Sequence, residues 1–184
     1  MFWLIAAMAT LLSKSFCDHL VCVSQPEDKI VAVVDKLGGM ALRGKDTQGR
    51  PDVWVFLDST KAADSDLLDL VPLMPDVTML VLGANITDAG LKHLASLKRL
   101  AHLDVRESRV TDEGLKEIAK LETLTHLDLN NAFMTDEGLK SIAKLPHLAS
   151  LTVFGPKVTK DTADQLRKLL PKCQIHVCKK PDNR

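Results

Sequence analysis

The spacing of apolar residues changes in a regular way along the chain, with a period of 24 residues. In the segment Leu100-x-x-Leu103-x-Val105, the last residues alternate between apolar and variable positions, which is typical of a half-buried β-strand. Further on, Leu115 and Ile118 stand three positions apart, as residues on one face of a helix do. Each period therefore predicts one short strand, a turn and one short helix.

The same letters mark the turn in successive periods. Thr-Asp-x-Gly-Leu begins at Thr87, Thr111 and Thr135, and a degenerate version begins at Thr159. We predict that the threonine caps the helix, that the acidic residues after it face the positive helix N-terminus, and that the glycine permits close packing on the neighbouring unit. One unit cannot bury its own leucines, so the units must stack. The predicted fold is an α/β solenoid, with a curved parallel sheet of about six strands on the concave side and short helices on the convex side.

The two ends of the solenoid depart from the repeat. Residues 26–37 have the apolar spacing of a helix that ends at Gly38-Gly39, and residues 40–43 are predicted to pair antiparallel with residues 53–57 as an N-terminal cap. Such a cap closes the first edge of the sheet. The resulting division is an apolar leader at 1–25, a repeat domain at 26–178 (cap 26–52, repeats 53–178) and a polar tail at 179–184.

The pattern L-x-x-L-x-L followed by a T-D-x-G-L helix resembles the leucine-rich repeats of the ribonuclease-inhibitor-like and cysteine-containing types, and is similar to short planctomycete-type bacterial repeat proteins. The resemblance covers roughly residues 26–178, and it implies a curved solenoid that binds proteins. Two features differ from those families. No asparagine follows the strands, because Ser108, Ala132 and Pro156 share that position, and no consensus cysteine is present. The turn after each strand must therefore be held differently.

Composition narrows the possible functions. The 184 residues contain 46% hydrophobic residues, with 24 basic and 24 acidic residues, which suits a folded domain and provides no basic stripe for nucleic acid. We find no nucleophile elbow, no phosphate-binding glycine loop and no H-E-x-x-H motif. The sequence therefore predicts a non-enzymatic protein that needs no cofactor and binds a protein partner.

The first twelve residues form an apolar run that is too short to span a bilayer and has the length of a signal-peptide core. We therefore expect export to the periplasm, cell envelope or extracellular space, with a cytoplasmic protein carrying an apolar N-terminal tail as the alternative. The cysteines form two C-x4-C pairs at opposite ends of the chain, which is not a zinc signature. In an exported protein they would allow three disulfide connectivities, and inside the cell they would be free thiols.

The alternate strand positions that face the concave side are free to carry function, because the core does not need them. They change along the solenoid from apolar through charged to mixed, as in a protein-binding surface with an aromatic anchor and a polar surround. The predicted partner-binding residues are Trp54, Phe56, Met79, Val81, His102, Asp104, Arg106, His126, Asp128, Asn130, Thr152 and Phe154.

Two alternatives remain open at this level. His102, Asp104, His126 and Asp128 should form a square on two adjacent strands, which offers imidazole and carboxylate groups to a divalent cation or a response to mild acid. The simpler interpretation of the square is a solvated polar surface with Arg106 diagonal to Asp128, and we assign no metal site. The other alternative is a scaffold that binds through its helical side.

Overall fold

The computed structural model describes residues 29–130, 133–154 and 160–178. The seven strands are β1 (Met40–Lys45), β2 (Pro51–Phe56), β3 (Val77–Val81), β4 (His102–Asp104), β5 (His126–Asn130), β6 (Ser150–Phe154) and β7 (Gln174–Cys178). The α-helices are α1 (Lys29–Lys36), α2 (Asp64–Leu70), α3 (Asp88–Leu91), α4 (Asp112–Ile118), α5 (Asp136–Ser141) and α6 (Lys160–Leu169). Short 3-10 turns at Val71–Leu73, Lys92–Ser96 and Ile142–Lys144 extend three of these helices.

All seven strands belong to one open sheet in chain order. β1 pairs antiparallel with β2, as the cap prediction required, and every later pair is parallel. The repeat period sets the register, because His102 pairs with His126 and Leu103 pairs with Leu127. The predicted α/β solenoid is therefore confirmed, with six parallel strands and one antiparallel strand at the N-terminal edge.

The repeated leucines build one continuous core on one side of the sheet. Leu103, Leu127 and Leu151 lie in register on neighbouring strands and are fully buried. Leu115 and Ile118 of α4 join the same core, which places the helices on this side. We call it the helix side, and we call the opposite side, where the alternate strand residues lie, the open face.

The Thr-Asp-x-Gly segments bind each unit to the next one. The Asp88 carboxylate accepts hydrogen bonds from the backbone N–H (2.8 Å) and the hydroxyl (2.6 Å) of Thr111, one repeat later. The Thr111 hydroxyl oxygen in turn accepts from the N–H of Glu113, which is the predicted helix cap. The same carboxylate occupies the place of a Cβ at Gly114. The aspartate thus bridges to the following helix. The sequence of a single repeat does not predict this contact, because its partner lies in the next repeat.

The turn after β4 is held without the asparagine of the related repeat families. The Ser108 hydroxyl is buried and donates to the C=O of Gly83 in the preceding repeat at 3.1 Å. Its backbone N–H donates to the C=O of Val105. A short side chain and the local backbone thus satisfy the polar groups that a buried turn would otherwise leave unpaired.

The N-terminal cap covers the first edge of the core. Helix α1 buries Ile30, Val31 and Val34, and Val33 and Leu37 pack partly against the same cluster. Burial of Val31 was not predicted. The leader 1–25 and the tail 179–184 lie outside the described residues. Within the residues that the structure describes, no helix has the length and apolarity needed to cross a membrane.

Candidate functional site

The open face presents the alternate residues of the strands in lateral columns. One column runs through Trp54, Met79, His102, His126 and Ser150, and the next runs through Phe56, Val81, Asp104, Asp128 and Thr152. From β4 to β6 the period of 24 residues thus aligns the alternate positions of neighbouring strands. Asn130 pairs with Phe154 on β6, as predicted, but the side chain of Phe154 lies outside the description.

An apolar patch covers the N-terminal part of the open face. Cross-strand partners in an antiparallel pair lie on the same side of the sheet, so β1 adds two residues to the four predicted from β2 and β3. Each of the six is only partly buried or exposed. We call them the apolar array: Met40, Leu42, Trp54, Phe56, Met79 and Val81.

Met40 and Leu42 were missed as members of the site. Met40 pairs with Phe56, and Leu42 pairs with Trp54. The hairpin itself was predicted, so its register was the signal that could have placed these residues on the open face. Met40 is exposed, with 36% of its surface accessible.

Asp104 is not the exposed acidic residue that the sequence predicted. Only 4% of its surface is accessible, because the chain turns directly after β4 and Arg106 folds back over the carboxylate. Arg106 donates its backbone N–H to Oδ1 at 2.9 Å and its Nε–H to both carboxylate oxygens at 2.9 and 3.0 Å. These hydrogen bonds raise the pKa of Arg106 despite its partial burial. Arg106 thus hydrogen-bonds at its own strand end, and the predicted diagonal neighbour Asp128 adds an electrostatic attraction.

His102 is the residue that reaches diagonally to Asp128. Its Nε2 lies 3.1 Å from the Asp128 Oδ2. Burial by itself would raise the pKa of Asp128, but hydrogen bonds from His102 and Thr152 hold that pKa below its usual value. Asp128 is thus an ionised, half-buried group whose partners lie on both neighbouring strands.

The two histidines stack on each other. The ring centroids of His102 and His126 lie 5.5 Å apart with an interplanar angle of 23°. Partial burial lowers the pKa of His126, the neighbouring His102 lowers it further, and Asp128 acts in the opposite direction. The Nδ1 of His126 also lies 2.9 Å from the Thr125 hydroxyl. The pair therefore adds aromatic surface to the polar part of the open face.

The square of two histidines and two aspartates does not converge on a common centre. Both Asp104 oxygens contact Arg106, and Asp128 contacts His102. Among the described residues, no group of three or more His, Cys, Asp or Glu side chains is arranged to hold a metal ion. Asp104 instead pairs with Arg106, which lies outside the square, while His102 pairs with Asp128 and stacks on His126.

A comparison with known protein families agrees with this architecture. The profile of a leucine-rich repeat family matches residues 100–119 and 120–143. Among solved structures, a leucine-rich repeat protein of Leptospira interrogans is 26% identical over 58% of this chain, with a TM-score of 0.39. The match spans 32% of that protein, so this chain corresponds to about a third of its length. No significant match was found among curated proteins.

The stacked units, with strands on one side and short helices on the other, define a repeat solenoid. The profile matches coincide with the most regular of these units. Residues 100–143 are thus identified as leucine-rich repeats. Such repeats generally serve as non-enzymatic modules for binding other proteins.

Proposed function

We propose that this protein is a non-enzymatic binding module that holds a protein partner on its open face, with the apolar array as the anchor. The observation that carries the proposal is the array itself. Six apolar residues on three adjacent strands remain incompletely buried on a side of the sheet that no described helix covers. Contiguous apolar surface of this kind is typical of interaction sites.

The polar residues beside the array fit the surround of such a site. The stacked histidines border the array because His102 pairs laterally with Met79, and Asp104, which Arg106 covers, pairs laterally with Val81. Arginine and aromatic groups are enriched at binding hot spots, and hydrogen-bonded polar groups around them determine orientation. Because Arg106 and Asp128 are already held by their neighbours, this part of the face is ordered before a partner arrives, which lowers the entropic cost of binding.

The test compares two lysine substitutions of apolar residues that are not fully buried. Met79→Lys places a charge in the array, and Leu68→Lys places one on α2, where Leu68 is 56% exposed on the helical side. We expect Met79→Lys to weaken binding of a captured partner at least about tenfold, as for a hot-spot residue, and Leu68→Lys to leave it unchanged. Thermal unfolding of both variants verifies that they are folded.

The reverse result would sink the proposal. If Leu68→Lys lost the partner while Met79→Lys kept it, the scaffold alternative with binding through the helices would be correct. Equal retention by two folded variants would exclude both positions as anchors.

A second candidate function is a binding face that responds to pH. It is favoured by the stacking of His102 on His126 beside the ionised Asp128. Protonation of His126 would add a positive charge against the stacked ring of His102 and change the charge of the polar surround. Partner affinity measured between about pH 7.5 and 5.5, around the ordinary histidine pKa, should change in the wild type and much less in His126→Gln. An equal change of affinity in the wild type and in His126→Gln would mean that groups other than His126 cause the pH dependence.

We further infer that the protein is exported, because its first residues have the apolar length of a signal-peptide core. The intact mass of the chain from its native host, measured without and then with reductant, tests this inference. Loss of the leader and a gain of about two mass units per reduced disulfide are expected. A full-length mass that reductant leaves unchanged would indicate a cytoplasmic protein.

A further inference from the structure

The last strand of the sheet has an edge with no partner among residues 29–130, 133–154 and 160–178. β7 is the final strand in the sheet order, and it pairs with β6 on its other side. In the interior of the sheet, the backbone N–H of a helix-side residue donates to a C=O of the next strand. Leu82 donates in this way to Asp104, and Val105 donates to Asp128. Val177 holds the equivalent position on β7, so its peptide N–H points off the edge.

The same register directs the peptide groups of Ile175 off the edge. Ile175 and Val177 alternate with Gln174, whose N–H points back and bonds to the C=O of Ala149. Backbone groups that point to one side of a strand belong to every second residue. The free edge therefore offers two N–H donors and two C=O acceptors, centred on His176.

The core is also incomplete at this edge. Leu151 and Val153 on β6 are fully buried, whereas Ile175 and Val177 in the same columns are only partly buried. A further strand beside β7 would cover these two side chains. The helix that packs on β7, α6, also leaves Leu169 44% exposed.

Among the residues that the structure describes, the opposite edge of the sheet is protected and β7 is not. β1 contains Arg43 and Lys45, and α1 packs against it. Charged residues and a covering element are the usual protection of an edge strand against pairing. β7 reads Gln-Ile-His-Val-Cys, with no Lys, Arg, Asp or Glu.

We propose that β7 is a self-association edge, at which two copies of this protein pair their β7 strands antiparallel about a two-fold axis through His176. In that register Ile175 of one copy faces Val177 of the other, and the two pairs exchange four N–H···O=C bonds that use all the groups identified above. The axis is perpendicular to the sheet, so the helices of both copies lie on the same side and the two cores become continuous. A closed two-fold contact of this kind stops at the dimer.

The two-fold axis provides a test, because His176 is exposed and would lie opposite His176 of the other copy. In a non-hydrogen-bonded antiparallel pair the opposed Cα atoms are about 4.5 Å apart, and like charges placed there are destabilising. His176→Glu and His176→Lys should each weaken the dimer about tenfold or more. An equimolar mixture of the two variants should restore it as a heterodimer, because the opposed charges are then of opposite sign.

Gln174→Glu is the matched control. It adds the same charge to the same strand and face, but the two added groups would lie about 14 Å apart, four residues along antiparallel strands. That distance exceeds the Debye length of about 10 Å at 0.1 M salt, so this variant should dimerise like the wild type.

The measurement is the mass in solution by sedimentation equilibrium of the full chain with reductant present. We expect twice the monomer mass of 20.2 kDa for the wild type and for Gln174→Glu, and a shift toward the monomer for each single His176 variant. A wild type that stays monomeric up to about 1 mM would overturn the proposal. So would a dimer that His176→Glu does not weaken, or one that Met79→Lys abolishes in its place. Neither outcome bears on partner binding at the open face, which is measured separately.

Discussion

The helix side and the open face of the same strands obey different constraints. On β4 and β5 the helix side carries Leu103 and Leu127, both fully buried, whereas the open face carries His102 and His126, which remain accessible. All four residues recur at the same interval in the sequence. Recurrence alone therefore does not distinguish residues that the fold requires from residues that only share its period.

The contacts do distinguish them. A helix-side leucine touches the helices of its own and adjacent units, so its replacement leaves a cavity. The histidines contact each other and Asp128 at the surface, where water can replace a lost contact. Side chains on the open face can therefore vary with the partner while the solenoid keeps its shape.

The largest difference between the two sides should appear when neighbouring residues of β5 are truncated. Leu127→Ala should lower the free energy of unfolding by about 2–5 kcal/mol, because a fully buried leucine leaves a cavity in a rigid core. His126→Ala, one residue away, should cost within about 0.5 kcal/mol, the usual range for surface positions. Urea unfolding followed by circular dichroism gives both values, and similar costs would contradict the assignment of the two sides.

The contact between units should be the next most sensitive feature. A Cβ at Gly114 would meet the Asp88 carboxylate and lie 2.7 Å from Val110 Cγ1, so Gly114→Ala should cost about 1–3 kcal/mol through overpacking. Asp88→Ala should cost about 1–3 kcal/mol, because Thr111 loses the acceptor for both of its hydrogen bonds.

The double variant sharpens this prediction. Removal of the Asp88 side chain makes room for the new methyl group at Gly114. The double variant should therefore lose less unfolding free energy than the two single variants together. Full additivity in urea unfolding would show that the carboxylate does not restrict this glycine.

How much the sequence could predict depends on whether a contact is local or crosses repeats. The strand columns followed from the period of two within a strand and 24 between strands, and the Thr111 cap followed from its place before a helix. The bridge from Asp88 to Thr111 joins residues 23 positions apart. Its partner can be identified only when the stacking of two units is known.

The open face shows the same limit. Burial of Asp104 depends on how the chain turns after β4, and no periodic pattern encodes the fold of Arg106 back onto that carboxylate. Met40 and Leu42 joined the apolar array only through the register of the hairpin. Residues whose surroundings depend on a turn or on the register of the hairpin were thus predicted least well.

The buried carboxylate at Asp104 provides an intermediate case on the open face. Arg106→Met keeps much of the side-chain length but removes every guanidinium hydrogen bond, so the largely buried Asp104 carboxylate loses its charged partner. We expect a loss of about 1–3 kcal/mol in unfolding free energy. Adding Asp104→Leu should recover part of this loss, because the unpaired charge is then removed. No recovery in the double variant would show that Arg106 stabilises the turn mainly by packing.

The smallest effect should be the pH dependence that the open face gives to stability. The pKa of His126 is lowered in the folded protein, and so is that of Asp128, so the unfolded chain binds more protons than the folded one near the ordinary values of 6.5 and 3.8. Stability therefore rises with pH through both ranges and is lost on acidification, first as the unfolded-state histidine becomes protonated and then as the pH falls toward the folded pKa of Asp128. Solvent screening at this accessible site keeps the histidine contribution small.

Melting temperatures measured from pH 7.5 to 5 should consequently fall in the wild type and fall less in His126→Gln, which retains a polar side chain but does not titrate. Leu127, on the helix side of the same strand, cannot contribute to this slope because it carries no ionisable group. Equal slopes for wild type and His126→Gln would mean that His126 does not couple stability to pH. In that case the acid sensitivity expected from the shifted groups of the open face would begin only as the pH falls toward the range in which Asp128 is protonated.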